Sequence, residues 1–135
     1  MTEEAVVLGE ITLPGVRGSV AHARAFLREL LPYDDPVLDD LVTVGSETVC
    51  NAVTHTASGQ AGGRVTVVLL ARGGAYRLEV TDDGAVGARP RLKAENGGES
   101  GRGMRIVDAL ADCWGYREDG ARTVVWAEFP AATGR

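Results

Sequence analysis

Basic charge is in short supply in this sequence: 14 Lys and Arg face 19 Asp and Glu, for a formal net charge of -5 and a pI near 5.0. That balance argues against a protein that holds nucleic acid by neutralising phosphates. It leaves open a single nucleotide carried with a metal ion. No apolar run approaches the roughly 18–20 residues that a membrane-spanning helix needs. The N-terminus, MTEEAVVLGE, is acidic where a signal peptide is basic, so the chain reads as cytoplasmic. Cysteine is scarce: Cys50 and Cys113 are too few and too far apart for a zinc site. Their apolar contexts point to buried thiols rather than a disulfide. Internal repeats and dividing linkers are also missing. With 135 residues, 44% of them hydrophobic, the chain reads most simply as one domain with a real core.

What is present is an ordered run of elements. VVLGEITLP (6–14) alternates as a strand and ends at Pro14-Gly15. Ser19 to Leu31 carries Val20, Ala23, Phe26, Leu27, Leu30 and Leu31 on one helical face, and Pro32 stops it. A second helix is expected from Pro36 to about Thr56, with Asp35 as its N-cap. RVTVVLLA and AYRLEVTD are strands joined through Arg72-Gly73-Gly74, a hairpin signal. Residues 84–100 are Gly-rich, polar and aperiodic, and loops of that length are usually functional or mobile. GMRIVDALAD then forms a short helix, and CWGYRED with RTVVWAEFP a last hairpin. The order β-α-α-β-β-loop-α-β-β predicts an α/β two-layer sandwich: one mixed, mostly antiparallel sheet with helices on one face.

Three segments carry chemistry. In SETVCNAVTH, steps of four align Glu47, Asn51 and His55 within ~80° of the helix wheel. Leu38, Leu41, Val42, Gly45, Val49, Ala52 and Val53 occupy roughly 120–240°, an ordinary core face. The polar stripe therefore flanks the core instead of opposing it, where it is either a partly solvated face or the wall of a cleft. Asparagine is a poor helix former, and at a cleft edge its carbonyl oxygen suits a hard cation. VTDDG (80–84) ends a strand in two carboxylates and a turn glycine. This is either a plain Asx turn or an inward acceptor for a ligand amine. In SGRGM (100–104), Gly101 and Gly103 allow close backbone approach where a helix opens, a site suited to phosphate.

Taken in order, Glu47-x-x-x-Asn51, Asp82-x-Gly84 and Gly101-x-Gly103 resemble the three nucleotide boxes of the histidine-kinase-like (GHKL, Bergerat-fold) ATPases. The likeness spans roughly residues 38–129. NAVTH and SGRGMRIVDALADCWGY are most similar to small bacterial anti-sigma-factor serine/threonine kinases. The resemblance implies ATP and Mg²⁺ as ligands, with Asn51 on the metal and Glu47 as the base acting on water or an acceptor hydroxyl. Asp82 would accept the adenine exocyclic amine and Gly84 would turn the chain beneath the base. Gly101 and Gly103 would hold phosphates, and Thr123, on the penultimate strand, would help fix the adenine. His55 and Arg102 would border the phosphates. A sigma factor and an antagonist protein are the implied partners, with homodimerisation expected on the same ground. The first helix, with Arg17, Arg24 and Arg28, offers a docking surface.

One departure stands out. The family's middle box usually reads Asp-x-Gly-x-Gly, and here Val86 replaces the second glycine, with Gly87 one place later. A valine stiffens the start of the lid. No histidine-bearing dimerisation helix precedes the boxes, and His22 and His55 are poorly placed for autophosphorylation, so a complete sensor kinase is not expected. Two functions stay in play: a protein serine/threonine kinase that also restrains a sigma factor, and an ATP-binding interaction module without phosphoryl transfer.

Overall fold

A computed structural model describes residues 4–85 and 98–131, the side chains of 98–103 excepted. Strand β1 (Val6–Pro14) leads into helices α1 (Ser19–Arg28) and α2 (Leu38–His55). After a short 3-10 turn (Ala57–Gly59) come β2 (Arg64–Arg72), β3 (Ala75–Asp82), α3 (Gly98–Leu110), β4 (Cys113–Asp119) and β5 (Arg122–Pro130). The strands form one five-stranded sheet in the order β1-β2-β3-β5-β4.

Every pairing in this sheet is antiparallel, so the expected mixed sheet is corrected to a wholly antiparallel one. The reason lies in the connections. A single crossover helix returns the chain parallel to its starting strand, whereas two helices, α1 and α2, separate β1 from β2 and reverse its direction. The β2–β3 and β4–β5 connections are hairpins, whose tight turns use Gly73 and Gly120 at φ +60° and +65°.

Alternation along the strands sends one side chain in two toward the helices. Val65, Val67 and Leu69 of β2, Leu78 and Val80 of β3, and Val125, Ala127 and Phe129 of β5 are buried there. They meet Ala23 and Leu27 of α1, Leu41, Val42, Val44, Val49 and Ala52 of α2, and Met104 and Val107 of α3. At about 1.5–3 kcal/mol for each large apolar side chain withdrawn from water, this layer is the main source of stability. Gly45 lets α1 and α2 approach closely, since a Cβ there would lie 2.5 Å from Leu27 Cδ1.

Three local expectations are revised. Helix α1 ends at Arg28 instead of Leu31, because the N–H groups of Glu29 and Leu30 tighten onto Phe26 O and Leu27 O. Helix α2 starts at Leu38, with Val37 at the cap position and no side-chain cap. Asp35 is engaged elsewhere: it accepts the Val37 N–H at 3.0 Å and the Tyr76 hydroxyl at 2.9 Å, tying the inter-helix loop to β3. Both cysteines are exposed free thiols, not buried ones. Cys50 falls near ~300° on the wheel, away from the core, and Cys113 pairs with Glu128 on the sheet face that the helices leave uncovered.

Candidate nucleotide site

The period-2 alternation that buries Leu78 and Val80 carries on to Asp82, the last residue of β3. The residue is only 3% exposed. Burial, with the negative charge of Asp83 adding to it, pushes the Asp82 pKa up to about 6, against the opposing hydrogen bond from the Gly84 N–H. That bond, at 2.7 Å to Oδ1, is the Asx turn. The other oxygen has no partner among the described residues. The Asx-turn reading of VTDDG therefore holds, and the aspartate that faces inward is Asp82, with one oxygen that no described residue engages.

Gly84 is required where it stands. Its φ is +91°, and a Cβ would lie 1.9 Å from Ala121 O. Thr123 is the register partner of Asp82 across β3 and β5 and is itself 2% exposed. Strand β5 is last in the chain but last-but-one in the sheet, which places Thr123 directly beside the carboxylate.

Glu47, Asn51 and His55 are all half-buried on α2. The buried arc reaches closer to them than the pattern implied, because Val44, near ~60° on the wheel, and Thr48, near ~100°, are buried as well. Thr48 satisfies its hydroxyl on Val44 O and Gly45 O, at 2.9 and 3.1 Å. Helix α3 packs along α2, and the Asn51 amide donates from Nδ2 to Met104 Sδ at 3.5 Å. Its carbonyl oxygen accepts nothing from the described residues. No hydrogen bond engages Glu47 or His55 among them either.

Helix α3 opens at Gly98, earlier than expected, and takes up the end of the long loop. Gly101 is thus its fourth residue and Gly103 its sixth, at the end of the first turn and beyond it instead of ahead of the helix. The Arg102 side chain lies outside the described residues, as do Val86 and Gly87. The sheet end and α2 are joined directly: the Ala57 N–H, just past α2, donates to Gly84 O at 2.8 Å. The fold therefore gathers Asp82, Gly84 and Thr123 at one sheet end, next to the C-terminal part of α2.

Four residues that the sequence did not single out complete this junction: Thr56, Ser58, Arg64 and Asp83. Ser58, fully buried, accepts the Asp83 N–H at 2.9 Å and donates to Arg64 O at 2.7 Å. The Arg64 N–H in turn reaches Asp83 Oδ2 at 2.9 Å. Strand alternation could have separated inward Asp82 from Asp83, but nothing local marks a serine in ASGQAGG as buried.

Comparison with known proteins places this arrangement. The histidine kinase-like ATPase domain family matches residues 14–129. The chain belongs to that family. A search of curated proteins found no match. Among solved structures, the chain is similar to the crystal structure of the RsbU and RsbW domains of Rv1364c from Mycobacterium tuberculosis, at 22% identity and a TM-score of 0.62. The match covers 95% of this chain and 32% of that one, so this chain spans about a third of the solved chain's length. At that identity the likeness is one of fold.

As a histidine kinase-like ATPase domain, the chain belongs to a family that typically binds ATP with Mg²⁺. The residues fit such ligands. Gly84 holds the turn at φ +91°, Asp82 is an inward acceptor with an oxygen that no described residue engages, and Asn51 keeps its amide oxygen uncommitted among the described residues. An amide oxygen is a suitable single protein ligand for Mg²⁺, which keeps most of its shell for phosphate and water. Among the described residues no helix is long and apolar enough to cross a membrane.

Proposed function

We propose that this domain is an ATP-dependent protein serine/threonine kinase and anti-sigma factor of the cytoplasm, acting on an antagonist protein. The observation that carries the reading is Asp82: an acidic residue 3% exposed, held by a turn that only glycine can complete. Burying a charge is costly, and a donor from a ligand relieves that cost. The adenine exocyclic amine is such a donor. Guanine carries a carbonyl at the same place, which a carboxylate repels.

In this reading Thr123 fixes the base beside Asp82. Gly101 and Gly103 hold phosphates near the start of α3, with His55 and Arg102 at the border. Asn51 offers its oxygen to Mg²⁺, which when bound neutralises phosphate charge. Glu47 takes the proton of the acceptor hydroxyl while that oxygen bonds to the terminal phosphorus and the bond to the ADP oxygen breaks. For the sigma factor, the turn that leads into α1 offers Arg17, since Arg28 is paired with Asp39 at 3.2 Å and Arg24 reaches Ser46 at 3.4 Å.

Calorimetry with Mg²⁺ and ATP, ADP or GTP tests the base assignment; equal affinity for GTP and ATP overturns it. Radiolabelled ATP, incubated with the proteins that co-purify with the domain, tests the transfer. Label on serine or threonine of a partner supports a kinase, and tight ATP binding without label reduces the protein to an ATP-dependent interaction module.

A further inference from the structure

Beyond Asp82 the chain leaves the sheet, and Asp83, Gly84 and Ala85 belong to no strand. An acceptor at the loose end of a strand would be poorly aimed. Here the turn is tied on several sides. The Asp83 N–H donates to Ser58 Oγ at 2.9 Å, Asp83 Oδ2 accepts the Arg64 N–H at 2.9 Å, and Gly84 O accepts the Ala57 N–H at 2.8 Å. Ser58 is anchored in its turn. Its hydroxyl donates to Arg64 O at 2.7 Å, its N–H reaches Thr56 Oγ1 at 3.0 Å, and Thr56 donates to Ala52 O at 2.6 Å in the last turn of α2.

A continuous chain of hydrogen bonds thus runs from α2, which carries Asn51 and His55, to the turn that presents Asp82. Its hub is fully buried, and backbone closes around it: a Cβ on Gly15 or Gly63 would lie 1.6 or 2.0 Å from Ser58 O. We infer that Ser58, with Asp83, is a positioning residue that holds the Asp82 carboxylate in register with the α2 stripe, and so sets the span between base and phosphates. The inference rests on the reading of Asp82 as the adenine acceptor. Ser58 touches no nucleotide; it acts through Asp82. Preorganising an acceptor in this way raises affinity by removing the cost of ordering it on binding.

A double-mutant cycle read by Mg²⁺-ATP affinity tests this. Ser58→Ala should weaken binding about tenfold in the wild-type background, and by a factor near one in the Asp82→Asn background. Its effect on thermal stability should be the same in both. Equal weakening in both backgrounds, or none with the fold intact, overturns the inference. If Asp82→Asn alone leaves ATP affinity unchanged, the adenine reading fails instead, and the two failures are told apart by that single variant. Should Ser58→Ala not fold, Asp83→Ala carries the same cycle, since that side chain is partly exposed and its loss removes the Arg64 acceptor and an exposed ion pair with Arg122 at 4.0 Å. Asp83→Asn, which keeps an oxygen for the Arg64 N–H but loses the charge, should bind as the wild type does. A loss equal to that of Asp83→Ala would assign the effect to charge and overturn the positioning role.

Discussion

Asp82→Asn should make the ligand-free protein more stable while damaging its site. In the folded state the carboxyl binds its proton with a pKa of about 6, against an ordinary value of 3.8. At about 1.4 kcal/mol per pKa unit, the difference amounts to roughly 3 kcal/mol. Because the folded pKa is raised, protons favour folding at this group. The favourable contribution is complete below the unfolded pKa, fades as pH rises from about 4 to 6, and is absent above. An asparagine does not titrate, and its oxygen still accepts the Gly84 N–H that Oδ1 accepts at 2.7 Å. The variant's stability relative to wild type should therefore increase by up to ~3 kcal/mol between pH about 4 and pH about 8. Any partner the new NH₂ group fails to find subtracts a constant from every pH and leaves this slope intact. Urea unfolding of both proteins across that range measures it. Binding should move the other way, with Mg²⁺-ATP weakened by ~1.5–3 kcal/mol, the range for hydrogen bonds to charged groups. A pH-independent stability difference would refute the claim that folding buries a reluctant charge here. A stability that responds as expected with unchanged ATP affinity would leave the charge buried but detach it from the nucleotide.

Glu47→Ala should abolish or strongly slow phosphoryl transfer with ATP affinity nearly unchanged, because the base acts on the acceptor hydroxyl; parallel label-transfer and calorimetric assays separate the two. Asn51→Ala should keep its fold, since up to ~0.7 kcal/mol of helix propensity offsets the weak bond to Met104. In the wild type Mg²⁺ should strengthen ATP binding relative to chelator, and in Asn51→Ala it should do little; an equal Mg²⁺ effect in both removes Asn51 from the site. Gly84→Ala forces a side chain into φ +91° against Ala121 O, so chemical unfolding should show a loss of at least ~1–3 kcal/mol, with ATP affinity falling as the turn shifts.

The sequence by itself determined whatever is written in a local period or a local motif. Alternation in RVTVVLLA and AYRLEVTD, the helical spacing from Leu38 to His55, and the glycines of the hairpins place the elements to within a few residues. The ordered boxes around Asn51, Asp82 and Gly101 were legible for the same reason, since each needs particular residue types at short, fixed spacing. Only the tertiary structure decided what depends on partners distant in sequence. Tyr76, 41 residues away, takes up Asp35 and moves the start of α2. Two intervening helices turn the expected mixed sheet fully antiparallel. Cys50 and Cys113 have apolar neighbours in sequence, yet both end exposed. Asp82 and Asp83 look alike in the string VTDDG. The pleat turns the first toward the core, where burial raises its pKa, and leaves the second for the backbone of Arg64. Ser58, in a segment that reads as an ordinary turn, becomes the fully buried hub between α2 and Asp82 because its hydroxyl meets β2 and the end of β3 at once. Burial and hydrogen-bond partnership are properties of the assembled layers, and residue type with short-range spacing does not encode them.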